Sequence, residues 1–101
     1  MRELSAEQTE EVKNRLEVLI AMPFDDLAVL PSFTSEDVLL SGKKHTLSIW
    51  HDILGSGEHR VMVQLYQYGV LGVGQMYADG FVVNERNDRR ALTQEEWEPF
   101  S

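Results

Sequence analysis

No cysteine occurs among the 101 residues, and that absence removes disulfides, thiolate catalysis and cysteine–zinc sites together. It also suits a reducing compartment, so a cytoplasmic location is expected. No apolar run approaches the ~18–20 residues a membrane helix needs. The opening stretch MRELSAEQTEE is acidic and lacks the apolar core of a secretion signal. Membranes are therefore not expected as partners. Basic side chains are scarce: nine Lys and Arg stand against 17 Asp and Glu, a net charge of −8. Residues 1–41 hold nine acidic and three basic groups, giving −6; residues 42–101 hold eight and six, giving −2. A phosphate backbone is repelled by that balance, which argues against nucleic acid. The basic cluster Arg86, Arg89 and Arg90 is diluted by Glu85 and Asp88, and reads as an exposed charged turn. Repeats, low-complexity tracts and linkers are missing as well, so residues 1–101 are read as one domain. The 43% of hydrophobic residues is enough for a core and argues against disorder.

What is present begins with a helix. Ser5 followed by Gln8 has the spacing of a capping box. Val12, Leu16, Leu19 and Ile20 recur at helical period, while Glu7, Glu10, Glu11, Lys13, Asn14 and Glu17 take the other face. Pro23 cannot continue the helix, which is expected to end near Ala21. Residues 23–35 lie between Pro23 and Pro31 and read as a connector with one helical turn or a short strand. From Glu36 the period switches to two. Val38–Leu40 is expected as a short strand turning at Ser41-Gly42-Lys43. His45–Leu54 and Arg60–Tyr68 follow as two further strands. Pairing Ile53 with Val61 across a three- or five-residue loop keeps Leu47, Ile49, Ile53, Val61, Val63 and Leu65 on one face. Asp79-Gly80 has the composition of a type I′ hairpin turn, which would set Ala78 opposite Phe81. Thr93 and Glu96 form a second capping box, so a short helix Gln94–Glu98 docked by Trp97 and Phe100 is expected. The expected fold is α+β: an N-terminal helix on a mainly antiparallel four- to five-stranded meander, with a short C-terminal helix.

Four glycines, Gly69, Gly72, Gly74 and Gly80, stand within residues 65–81. A phosphate cradle needs such glycines at a strand-to-helix junction, where free amides face the anion. The spacing fits neither dinucleotide nor nucleotide-loop motifs, and the stretch that follows, QMYADGF, reads as a hairpin. Gly72 and Gly74 are instead expected to share one strand face and leave a trough for an aromatic ring. No cofactor is expected. His45 and His51 fall about 20 Å apart on one strand at ~3.3 Å per residue, too far for one metal ion. His59 is expected some distance from both, so no metal site is predicted. No serine of the seven sits in a nucleophile elbow, and no residues are singled out as catalytic.

The remaining feature is the second sheet face, where Trp50, Met62, Tyr66, Tyr68 and Met76 are interleaved with Ser48, Asp52 and Gln64. Aromatics and methionine among uncharged polar groups match the composition of protein contacts. The leading expectation is thus a non-catalytic protein-interaction module, homodimeric through this face. One alternative is an acidic inhibitor or immunity-type protein that neutralises a basic partner through the −8 charge. Another is a domain that binds a small apolar molecule between helix and sheet, or acts on it catalytically, with His51 and Tyr77 lining the pocket.

Overall fold

The computed structural model describes residues 6–40, 42–67 and 75–97. It has the expected α+β architecture. Helix α1, Ala6–Ala21, ends where Pro23 stops it: the Met22 amide turns back to the Leu19 carbonyl at 3.1 Å. Pro23 takes extended angles (φ −61°, ψ 153°). Its carbonyl then accepts from the Asp26 and Leu27 amides, both at 3.1 Å, and so opens a single-turn helix α2, Phe24–Ala28. Proline thus acts twice, ending one helix and nucleating the next.

Five strands follow in meander order: β1 Phe33–Leu40, β2 Lys43–Ile53, β3 His59–Gln67, β4 Gln75–Val83 and β5 Arg89–Arg90, with helix α3 at Gln94–Trp97. Every neighbouring pair is antiparallel. β1 starts five residues earlier than the Val38 expected from periodicity. Its Phe33–Asp37 segment carries no inward apolar residue to betray a strand, and pairing with β2 alone defines it.

Two turn assignments are corrected. Asp79 and Gly80 do not reverse the chain; they lie within β4, opposite Val63 and Met62. The absent Cβ of Gly80 serves close packing against β3, where an added carbon would meet the Val61 carbonyl oxygen and lie 2.6 Å from the Met62 Sδ. The reversal sits five residues later. There the Asn84 side-chain oxygen accepts from the Arg86 and Asp88 amides at 2.9 and 3.1 Å, and Asn87 takes the left-handed region at φ +68°. The second correction concerns register: Ile53 pairs with His59, while Val61 pairs with His51. The shift is by two residues, so the aliphatic set stays on one face. The five-residue loop between these strands closes through the Leu54 amide on the Glu58 carbonyl (2.8 Å), with Gly57 at φ +89°. At the strand end Ile53 is 64% exposed, outside the core it was expected to join.

The core fills one side of the sheet. Leu47, Val61, Val63, Leu65, Phe81 and Val83 meet Val12 and Leu19 of α1, together with Leu27 and Leu40. Each such side chain contributes roughly 1.5–3 kcal/mol on burial. The β4–β5 turn clamps the α1–α2 junction from below: the Arg89 guanidinium donates to the Met22 carbonyl, and the Phe24 amide donates to the Asn87 side chain at 2.8 Å. Within the basic cluster, Arg89 therefore serves as a tie inside the fold. The readings made for Ser5, Gly69, Gly72, Gly74 and Phe100 fall outside the described residues.

Candidate functional site

The sheet side facing away from α1, the outer face, divides in two. Over β3 and β4 it is closed: Met62 is wholly buried, as are Val82 and most of Arg60. Arg60 lies opposite Val82 and one row from Met62. Its guanidinium grips both carboxylate oxygens of Asp52 and donates to the Glu96 carbonyl at 2.8 Å. The C-terminal segment is thereby tied down on this half. Met62, a candidate contact residue from sequence, is packing.

Helix α3 is held in place by local chemistry. The capping box forms as expected: the Thr93 amide donates to Glu96 Oε1 at 2.8 Å, and the Glu96 amide reaches Thr93 Oγ1 at 3.4 Å. Arg90 then bridges Glu96 (2.7 and 2.8 Å) and Glu58 (3.0 and 3.2 Å). The Arg90 guanidinium and the Thr93 amide hold the Glu96 carboxyl down at about 2; Arg90, then Ser56, lower Glu58 as well. Depressed carboxylates contribute stability that is present above the ordinary value near 4.5 and lost as pH falls through the folded value. Acidification from pH 5 to 2 should therefore release Arg90 and fray α3 ahead of the sheet. The Thr93 amide resonance is expected to titrate near 2 and not near 4.5, and a midpoint at the ordinary value would refute the bridge.

Over β1 and β2 the outer face is open. Phe33 and Trp50 face each other across the strand pair, with ring centroids 4.5 Å apart at a 49° tilt. Phe33 is 46% and Trp50 37% exposed. The Trp50 indole donates to Gln64 at 2.6 Å, which fixes the ring. Together with Ser32, Asp52 and Arg60 these side chains line a shallow groove of about 390 Å³. Leu39, farther along β1 and 72% exposed, lies on the same face. Tyr66 is half-buried in the adjoining row; Tyr68 and the Met76 side chain fall outside the described residues. Phe33 was missed from sequence because its segment read as a connector, and Leu39 because the short strand expected at Val38–Leu40 was given no face. Alternation across Phe33, Ser35, Asp37 and Leu39 was the available signal, and charge at its centre hid it.

The inner face holds the histidines. Contrary to expectation, His59 touches His51: Nε2 of His51 and Nδ1 of His59 are 2.7 Å apart, and the rings stack with centroids at 5.0 Å. The observed register causes this, since pairing Ile53 with His59 puts the two histidines diagonally on one face. The Leu30 carbonyl can only accept, so His51 Nδ1 donates to it at 2.9 Å; in the neutral pair His51 Nε2 then accepts from His59. Burial, and next the neighbouring His51, lower the His59 pKa. No cluster of three His, Asp or Glu side chains that could hold a metal ion occurs among the described residues. His45 lies at the other end of β2 and is fully buried. Its Nδ1 donates to the Lys43 carbonyl, and its Nε2 accepts from Gln8, which also donates to Gln67, all at 2.9 Å.

Among the described residues, His51 and Tyr77 line separate grooves. Tyr77 is aligned with Leu65 and Leu47, four positions along β2 from His51, or about 13 Å at ~3.3 Å per residue. Tyr77 instead lines a groove of about 400 Å³ under α1, beside Lys13, Glu17, Ile20 and Asp79. Burial, then Asp79, raise its pKa. No helix among the described residues is long and apolar enough to cross a membrane.

The fold and this surface define a helix-on-antiparallel-sheet domain with one open aromatic flank. Compared with protein-family models, curated proteins and solved structures, the chain finds no match.

Proposed function

We propose that the protein is a non-catalytic protein-interaction module that docks its partner on the β1–β2 side of the outer face. The observation that carries this reading is the exposed Phe33–Trp50 pair beside a groove floored by Asp52, Arg60 and Gln64. Aromatic rings and arginine at a partly desolvated site are the side chains that dominate binding energy at protein contacts. Trp50 is also held by Gln64, so little side-chain freedom is lost on docking.

A photo-crosslinking residue tests this directly. With p-benzoylphenylalanine in place of Trp50, irradiation in the native cells is expected to give a discrete protein adduct. The same residue at the exposed Glu85 turn should give none. Equal labelling at both positions, or none at position 50, would count against the docking surface. Exposed Glu10, Glu17, Asp25 and Asp26 favour the acidic-inhibitor reading as the second choice. Under that reading the adduct would form from Asn14 on α1, and would disappear at high salt.

A further inference from the structure

We infer that the partner seated on this flank is a second copy of the chain, joined edge to edge through antiparallel pairing of β1 with its symmetry mate. The inference rests on the docking reading and specifies its occupant and register. β1 ends the sheet, and among the described residues nothing pairs with its outer side. The His51 amide donates to the Ser32 carbonyl at 3.0 Å. Hydrogen-bonded and non-bonded pairs alternate along an antiparallel ladder, so Thr34, Glu36 and Val38 bond inward to β2. Phe33, Ser35, Asp37 and Leu39 then turn their amides and carbonyls outward.

Parity and charge select one register. Two-fold pairing must match outward residues with outward residues, which any centre on a residue does; Ser35, Glu36 and Asp37 are the centres at the middle of the outward set Phe33–Leu39. A centre at Asp37 sets two carboxylates in direct opposition. A centre at Ser35 opposes Phe33 to Asp37 and shortens the overlap. A centre at Glu36 pairs Phe33 with Leu39, Thr34 with Val38 and Ser35 with Asp37, each across the two-fold. The apolar residues meet one another, and the serine hydroxyl meets a carboxylate. Like charges meet at Glu36 and its mate, directly opposed, and at Asp37 and its mate, on the wider diagonal; Arg15 of the same protomer ion-pairs with each Glu36. The edge is thus self-complementary in this register. Its formation would bury Leu39 of one copy beside the Phe33–Trp50 pair of the other, in one ten-stranded sheet.

The chain has no native cysteine, so single thiols report register cleanly. Directly opposed Cβ atoms sit about 4.5–5.5 Å apart and diagonal ones roughly 7–8 Å, against the ~3.5–4.5 Å of a disulfide. Under mild oxidation Glu36→Cys is expected to crosslink to itself quickly. Ser35→Cys and Asp37→Cys should each crosslink poorly alone but efficiently when mixed. In sedimentation, the 11.6 kDa chain should approach twice that mass by ~100 μM. Leu39→Lys should weaken association by about tenfold or more, as charge on an edge strand does. Added salt should strengthen it, because two copies at −8 repel. Circular dichroism of each variant checks that the fold is kept. Rapid self-crosslinking of Asp37→Cys overturns the register. A monomer mass throughout, with position 50 still crosslinked to another protein, overturns the second copy and leaves the docking surface standing. Dimerisation without any adduct from position 50 overturns the docking surface.

Discussion

Gly80→Ala is expected to lower stability by about 2–3 kcal/mol, the upper part of the roughly 1–3 kcal/mol range for overpacking a filled interior. The new methyl would meet the Val61 carbonyl oxygen and stand 2.6 Å from Met62 Sδ. Met62 is itself fully buried, so its side chain has nowhere to retreat. The Val61 carbonyl belongs to β3 and moves only with the strand. At roughly 4–8 °C per kcal/mol for a domain of this size, the melting temperature should fall by about 10–20 °C. Gly55→Ala is the control: nothing lies within 4 Å of its added carbon, and the change should stay within about ±0.5 kcal/mol. Denaturant midpoints for both variants decide the matter. Equal, small losses would mean that β3 and β4 do not approach as closely as described.

The second large effect falls on the connector. Leu27 is the one fully buried side chain of α2, and it joins the core beneath the sheet. Leu27→Ala should cost about 2–4 kcal/mol, the transfer loss plus the cavity left behind. The consequence should spread beyond the cavity, because α2 leads directly to the Leu30 carbonyl that holds His51. Phe24, on the same helical turn, packs edge-on against His59 at 5.0 Å. Amide exchange across residues 24–30 should therefore speed up more than exchange in β3. Val29→Ala, at a position exposed to water, should leave stability within about 0.5 kcal/mol. A loss at Leu27 no larger than that at Val29 would show that the connector is not anchored.

Local signals were legible wherever the chain's own neighbours decide the outcome. Pro23 ends α1 at Ala21, and the Thr93–Glu96 box starts α3, because each acts within one helical turn. The period-two alternation of His45–Leu54 and Arg60–Tyr68 was equally clear, since one face had to be aliphatic. Misreadings cluster where a remote strand intervenes. Asp79-Gly80 has the right composition for a turn, yet β3 draws it into a straight strand and uses its missing side chain for contact. His59 was set apart from His51 because the partner register was two residues off. β1 was shortened because Phe33–Asp37 has no apolar inner face of its own and exists through pairing with β2.

The candidate surface divides along the same line. Trp50 and Tyr66 could be assigned to the outer face from alternation alone, because the pleat throws successive side chains to opposite sides. Whether that face is open was a tertiary matter. Arg60, clasped by Asp52 and the Glu96 carbonyl, draws the described end of the C-terminal segment to β3, while Phe33 and Leu39 of β1 stay exposed. By itself, then, the sequence determined helices α1 and α3, the sidedness of β2 and β3 and the acidic balance, all properties of period and composition. Strand pairing, the closing of one half-face and the exposure of Phe33 beside Trp50 were decided only in three dimensions, because each depends on residues far apart in the chain meeting at one register.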